Sequence, residues 1–232
     1  MRGERALWQL GSAFTAAVIV VLIGITLTAV PGVGATETGF DQLLHEHLTP
    51  TALLIASGIG VLLEPAGGLA ILVAIGAVVW WRSDRVAAMQ FVGIAGVSWV
   101  SVEPVKLLVH RSRPVLSGVH HAVESWSYPS GHVALVTALV LGLVAVTHGK
   151  ARAQVASIGT VVVIVVATSR LALGVHYPTD VLAAIVWTSA VWVVVRHIAL
   201  TWTRASQTPT RRGPTAVAGL RPRSLVGKAR DR

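Results

Sequence analysis

Long, mainly apolar stretches between clusters of basic residues constrain the fold more than any other feature of this sequence. They run for 15 to 31 residues, and the first, from Ala6 to Thr36, carries no charged side chain. A helix needs about 20 apolar residues to cross the hydrocarbon layer of a bilayer. Charged residues make up only 12% of the chain, whereas soluble proteins carry about 25%. The pattern excludes a soluble domain and predicts an all-α, polytopic membrane protein.

The apolar stretches predict a bundle of six transmembrane helices. A polar connection, residues 31–50, follows the first span. Residues 51–81 are too long for one upright helix at about 1.5 Å per residue, and they are interrupted by Glu64-Pro65. We therefore expect a short interfacial helix at Thr51–Leu62, between the first and second spans. The six spans are expected within Ala6–Thr36, Ala66–Trp81, Val86–Leu108, Val133–Thr147, Ala153–Thr168 and Val181–Val195.

A cleaved signal peptide is the alternative to the first span, because small residues occupy positions 32–35. The apolar run from Ala13 to Val30 has 18 residues, which is longer than the 7–15 or so of a signal peptide. This length favours an uncleaved helix.

The chain divides into three predicted segments: 1–85 with two spans and the interfacial helix, 86–205 with four spans, and a basic, disordered tail at 206–232. The net charge is +9, but eight of the 19 basic residues follow Thr203. A basic flank beside a span is typical of orientation signals and contacts with membrane lipids, so we expect no nucleic-acid partner. The chain has no cysteine, which excludes disulfides and thiolate chemistry.

The distribution of basic residues predicts the orientation. With both termini cytoplasmic, 15 of the 19 lysines and arginines lie on the cytoplasmic side, in agreement with the positive-inside rule. The four exceptions are Lys106, Arg111, Arg113 and Arg170. The positive-inside rule does not explain these four basic residues, so we expect them to have another role on the outer side.

Polar side chains on this outer side have the composition of an anion site with acid–base capacity. Charges near membrane depth usually face a bundle interior or a wet cavity. Arginine suits phosphoryl oxygens because its guanidinium is a planar fork of donors. Histidine can attack phosphorus or donate a proton near neutral pH. The candidate residues are Lys106, Arg113, Ser130, Gly131, His132, Arg170, His176 and Asp180.

Three spaced motifs in this set resemble the signatures of the type 2 phosphatidic acid phosphatase (PAP2) superfamily. The first is a lysine, six residues and Arg-Pro (106–114), and the second is Pro-Ser-Gly-His (129–132). The third is Ser-Arg, five residues, a histidine, three residues and an aspartate (169–180). The resemblance covers roughly residues 86–195 and implies a membrane-embedded lipid phosphatase.

The resemblance also implies catalytic roles. His176 would attack phosphorus and form a phosphohistidine, and Asp180 would hold its ring in the attacking tautomer. His132 would protonate the leaving oxygen and then activate water. Pro178 suits the first turn of a helix, so we expect the last span to begin there.

The remaining motif residues would bind the phosphoryl group. Lys106, Arg113 and Arg170 would balance the negative charge of the transition state. Ser130 and Gly131 would add hydroxyl and backbone donors from the start of the fourth span. Three fixed cations would replace a metal, so we expect neither metal nor cofactor.

Several polar residues lie outside the motifs. For Arg111 a loop charge and a role in the site both remain open, and Glu103 is placed one turn before Lys106 and can orient it. The clusters His45-Glu46-His47 and His120-His121 with Glu124 lack a zinc-site spacing, and solvated loop residues are the preferred interpretation.

The sequence therefore predicts a membrane phosphatase that acts on the terminal phosphate of a lipid phosphate or pyrophosphate, with its site facing the extracytoplasmic side. Polyprenyl pyrophosphate, phosphatidylglycerophosphate and phosphatidic acid are all compatible substrates. The alternatives are a phosphotransferase with an alcohol acceptor and a non-enzymatic anion or lipid transporter. The family's soluble vanadium haloperoxidases are disfavoured by the six predicted spans.

Overall fold

A computed structural model describes residues 2–30, 32–117 and 125–207. These residues form helices and connecting loops, without a strand among them. The helices are α1 (Arg2–Ala29), α2 (Val33–His47), α3 (Pro50–Leu62), α4 (Pro65–Arg82), α5 (Arg85–Val100), α6 (Val102–Val109), α7 (Gly131–Val146), α8 (Gly149–Ala172) and α9 (Pro178–Gln207). The all-α prediction is confirmed.

Helix α7 lies at the centre of the bundle and packs against α5, α8 and α9. It is apolar on all sides, as expected of a helix surrounded by others. Val133, Ala134 and Leu135 in its first turns are at most 1% exposed. They pack in the main hydrophobic core together with Phe91 of α5 and Ala184 of α9. The predicted catalytic segment at the start of α7 is therefore anchored in the core.

Five helical stretches of the described residues are long and apolar enough to cross a bilayer: Gly3–Ala29, Pro65–Arg82, Arg85–Val109, Gly149–Ala172 and Pro178–Trp202. Helix α7 has only 16 residues, a length of about 24 Å at 1.5 Å per residue. The protein is thus a multi-pass membrane protein, while the count of six spans, the sidedness and the three-segment division stay predictions.

A break at Ser101 divides the predicted third span into α5 and α6. Pro104 explains the break, because its ring nitrogen cannot donate to the carbonyl of Val100 and its ring crowds that carbonyl. Helix α6 ends at Val109, and His110 closes it with a left-handed φ of 53°. The short α6 carries Lys106 in its last turn.

The predicted polar connection at 31–50 is mostly helical, because α2 extends from Val33 to His47. Its inward face is polar: Glu37, Thr38 and His45 are half-buried, and Asp41 is fully buried. Hydrophobic periodicity cannot reveal a helix whose buried face carries carboxylates and an imidazole.

The predicted short helix between the first two spans is confirmed as α3, although its interfacial location stays a prediction. Pro50 occupies its first turn, and the hydroxyl of Thr49 accepts a hydrogen bond from the Ala52 N–H at 3.3 Å. The last span begins at Pro178, as predicted. Of the predicted tail, residues 208–232 lie outside the described part of the chain.

Candidate active site

A cavity of about 690 Å³ opens at the end of the bundle where α7 and α9 begin and α8 ends. Six of the eight predicted site residues line it: Lys106, Arg113, Gly131, His132, Arg170 and His176. The other two, Ser130 and Asp180, are fully buried. They are joined to each other, since the Ser130 N–H donates to the Asp180 carbonyl oxygen at 3.1 Å. The structure thus brings the three motifs together around one cavity.

His176 lies in the short turn between α8 and α9. Gly174 makes this turn possible, because its φ of 63° falls in the left-handed region that side chains disfavour. The His176 ring is only 1% exposed. Its Nδ1 lies 3.5 Å from Oδ2 of Asp180, and its Nε2 lies 3.4 Å from Nη1 of Arg113. Nε2 is therefore the ring nitrogen on the side of the cations.

Burial lowers the pKa of His176 from 6.5 to about 4. This pKa is the net result of burial, the largest cause, and of the positive charges of Arg113 and Lys106, which also lower it, against the opposing effect of Asp180. His176 is consequently neutral at physiological pH, which is the form that a nucleophilic imidazole requires.

Arg113 is fixed by acceptors on two loops. Its Nη1 donates to the Val175 carbonyl at 2.5 Å, and its Nε and Nη2 donate to the carbonyl and hydroxyl of Ser125, both at 2.9 Å. A guanidinium held at three points keeps its orientation before any anion arrives, and this lowers the cost of binding one.

Two backbone carbonyls of α3 contact the site, although the sequence patterns gave no indication of this. Nη2 of Arg170 donates to the Ala56 carbonyl, and Nε2 of His132 lies 3.1 Å from the Gly60 carbonyl. A Cβ at Gly60 would overlap the Arg170 guanidinium. The absence of a side chain at this position lets α3 approach both residues.

The start of α7 offers a second anion-binding element. Ser130 occupies the N-cap position, but its side chain makes no capping hydrogen bond. A Cβ at Gly131 would lie 3.4 Å from the ammonium nitrogen of Lys106. Backbone N–H groups at a helix N-terminus attract anions, and here they lie beside a lysine.

Arg111 is not a loop charge: it is 4% exposed and forms ion pairs with Asp180 at 2.6 Å and Glu37 at 2.5 Å. The pairing was not evident from the motifs, because Glu37 is 74 residues away in sequence. Its predicted position on the outer side, against the positive-inside rule, was the signal that could have found it. Glu103 lines the cavity near Lys106.

The structure tests the predicted solvated-loop location for only one of the two histidine clusters. His45 is not a solvated loop residue, since it is half-buried with Nδ1 2.7 Å from the Ala172 carbonyl at the end of α8. His47 is exposed, and its Nδ1 lies 2.8 Å from the Leu43 carbonyl of its own helix. His120, His121 and Glu124 lie outside the described residues. Within the described ranges no group of three or more histidines and carboxylates is arranged to hold a metal ion.

The fold and this cavity define a class of protein: an all-helical, multi-pass membrane protein with three cations and two histidines around one buried site. The chain belongs to the PAP2 superfamily, whose family model matches residues 87–204. This match confirms the resemblance seen in the three motifs.

Two crystal structures share the fold. The phosphatidylglycerolphosphate phosphatase of Bacillus subtilis, described as a transmembrane PAP2-type enzyme, has a TM-score of 0.68 and 22% identity, with 88% of this chain and 100% of that chain covered. LpxE of Aquifex aeolicus has a TM-score of 0.53 and 17% identity, with 70% of this chain and 93% of that chain covered. No curated protein matches the sequence significantly.

Proposed function

We propose that this protein is a membrane phosphatase that hydrolyses the terminal phosphate of a lipid phosphate or pyrophosphate through a phosphohistidine on His176. The observation that carries the proposal is the placement of His176, with Nδ1 toward Asp180 at 3.5 Å and Nε2 toward Arg113 at 3.4 Å. A neutral imidazole backed by a carboxylate and facing cations is arranged to attack an anionic phosphorus.

In the first step, Nε2 of His176 attacks phosphorus in line with the leaving oxygen. The new P–N bond forms as the P–O bond to the lipid breaks, and protonated His132 gives its proton to the departing oxygen. Lys106, Arg113 and Arg170 balance the charge on the equatorial oxygens.

In the second step, water attacks the phosphohistidine. His132, now neutral, takes a proton from the water, the P–N bond breaks, and phosphate leaves with His176 restored. A carbonyl oxygen only accepts, so the contact with Gly60 assigns a hydrogen to Nε2 of His132. We therefore assign the proton exchange to Nδ1 of His132.

The proposed chemistry needs neither a metal nor a cofactor. The positive charge that a metal would supply comes from the three basic side chains around the cavity. Phosphate release in the presence of EDTA tests this point.

A lipid substrate fits the mixed lining of the cavity. Apolar side chains such as Val61, Trp99 and Val100 share the cavity with the cations, so a head group can enter while its tail stays in the bilayer. Polyprenyl pyrophosphate, phosphatidylglycerophosphate and phosphatidic acid all present the required terminal phosphate. From the basic-residue distribution we propose that both termini are cytoplasmic and that the cavity faces the extracytoplasmic side.

The test is phosphate release by the detergent-purified protein, in EDTA, from a panel of these lipids. His176→Ala and His132→Ala should each abolish release, while His47→Ala, an exposed histidine of α2, should not. Release that survives His176→Ala would overturn the mechanism. A folded wild type that releases phosphate from no lipid would favour a transporter or a phosphotransferase.

A further inference from the structure

Arg111 is a buried cation that the proposed chemistry leaves without a role. It follows α6 and contacts three side chains: Nη1 donates to Oδ1 of Asp180 and to the Thr179 hydroxyl, both at 2.6 Å, and Nη2 donates to Oε2 of Glu37 at 2.5 Å. Its guanidinium also lies 3.9 Å from the centre of the Tyr177 ring. A buried charge is tolerated only where such partners compensate for lost hydration.

Glu37 joins the same network from α2. Its Oε1 accepts from the backbone N–H of Thr179 at 2.9 Å and from the Thr179 hydroxyl at 2.7 Å. Thr179 lies in the first turn of α9, where helix N–H groups lack partners and negative charge is favourable. Glu37 therefore caps the helix that carries Asp180 and holds Arg111 at the same time.

The Asp180 carboxylate is held at both oxygens. Oδ1 accepts from Arg111, while Oδ2 accepts from the Tyr177 N–H at 2.9 Å and lies 3.5 Å from Nδ1 of His176. With Oδ1 fixed by the guanidinium, rotation about the Cβ–Cγ bond would break a charge-assisted hydrogen bond.

We propose that Arg111 and Glu37 are positioning residues, which fix the Asp180 carboxylate so that Oδ2 faces His176. The inference rests on the proposed function, because the network of Arg111 and Glu37 has a catalytic purpose only if His176 is the nucleophile. Arg111 is not among the residues that line the cavity, so it acts through Asp180 and not on the phosphate. Helix α2 thereby becomes part of the catalytic apparatus, although it lies outside the region of the family match.

The test compares Arg111→Met, Arg111→Lys and Glu37→Gln with wild type in the lipid phosphate assay. Arg111→Met should lower kcat by about tenfold or more while KM changes by less than about threefold, since a positioning residue affects the chemical step. Arg111→Lys should restore only part of the rate, because one ammonium cannot replace a planar fork across two carboxylates. Arg82→Met, at the exposed end of α4, is the matched control and should behave as wild type.

A double variant separates positioning from general structural damage. If Arg111 acts through Asp180, then Arg111→Met combined with Asp180→Asn should be no slower than Asp180→Asn alone. The double variant also removes the fully buried Asp180 charge together with that of Arg111, so that only the partly exposed Glu37 loses its counter-charge and the fold is better preserved than in Arg111→Met alone. Thermal melting and size-exclusion profiles establish that each variant is folded.

The outcomes distinguish the two proposals. Full activity of folded Arg111→Met, beside an impaired Asp180→Asn, would overturn the positioning role and leave the proposed function intact. A raised KM with unchanged kcat would also overturn it, in favour of phosphate binding. Unchanged activity of Asp180→Asn would overturn the positioning role as well, whereas phosphate release that survives His176→Ala would instead contradict the proposed function itself.

Discussion

Oδ2 of Asp180 lies 3.5 Å from Nδ1 of His176, in the turn that leads into α9. The distance is at the long end of hydrogen bonding, so the pair is an electrostatic contact that shortens if Nδ1 carries a hydrogen toward the carboxylate. The contact leaves Nε2 of His176 facing Arg113 and the cavity. In the proposed mechanism, this carboxylate determines which nitrogen of the histidine meets an incoming phosphate.

Asp180→Asn should lower kcat by about 10²- to 10⁴-fold, because an amide can hold the wrong tautomer of its histidine partner. The amide is close in size to the carboxylate, so the fold should survive. Steady-state kinetics on a lipid phosphate measure kcat, and a melting curve of the same sample shows whether the fold is intact. A loss of less than about threefold would contradict the role of Asp180.

The pKa of His176 should lie near 4, well below the ordinary value of 6.5, because the ring is buried beside Arg113 and Lys106. The His176 ring then stays neutral from pH 7 down to about pH 5. A histidine whose folded pKa is depressed must give up a proton on folding in acid, so the contribution of His176 to stability should be lost as the pH falls from 6.5 to 4.

Nitrogen NMR of histidine-labelled protein in detergent measures this pKa directly, with His176→Ala identifying the signal. A midpoint at or above 6.5 would contradict the buried, cation-flanked environment of the ring.

Gly60→Ala should impair the site, because the new methyl group would overlap the Arg170 guanidinium. We expect a rise in KM or a fall in kcat of about tenfold or more, as Arg170 loses its position relative to the phosphate. Gly58→Ala is the matched control in the same helix, since a Cβ there meets no atom within 4 Å. Equal activity of the two variants would show that α3 does not approach the site as described.

The buried carboxyl of Asp41 should make the stability of the fold depend on pH. This carboxyl is fully buried on α2, and burial, followed by the negative charges of Glu37 and Asp180, raises its pKa from 3.8 to about 8 against the opposing charge of Arg111. The folded protein therefore keeps a proton that the unfolded chain releases, and the contribution of Asp41 to stability should fall as the pH rises from about 4 to 8.

Asp41→Asn should remove this dependence and raise Tm at pH 8 more than at pH 5. Tryptophan fluorescence melting of detergent-purified protein across this range is the measurement. Glu46→Gln, on the exposed side of the same helix, is the control. An Asp41→Asn variant with a lower Tm at pH 8 would indicate that Asp41 is ionised and paired in the folded protein.

The sequence predicted the bundle because membrane spans follow from the length and apolarity of a segment, which depend on no distant contact. The break at Ser101 was in principle predictable, since Pro104 stands four residues after the last residue of α5. Helix α2 was not predicted, because its buried face consists of polar residues whose partners lie in other segments.

The candidate site was predictable only where residue type carries the chemistry. His132, Arg170 and His176 are visible in spaced motifs, and the cavity brings them together. The acceptors at Ala56 and Gly60 are backbone carbonyls, which every residue has and no sequence pattern marks. The proposed role of Arg111 depends on its ion pair with Glu37, a contact that exists only after folding.

The most direct test of the central claim is to trap the phosphoenzyme and find the phosphorylated atom. With p-nitrophenyl phosphate, whose leaving group needs no proton, the His132→Ala variant should still form the phosphoenzyme. The phosphoenzyme should then accumulate, because its hydrolysis in the second step requires a base. An alkaline quench preserves phosphohistidine for mass spectrometry and NMR. We predict phosphate on Nε2 of His176 and none in His176→Asn. Phosphate on Nδ1 or on another residue, or turnover by an active protein without any phosphohistidine, would contradict the account.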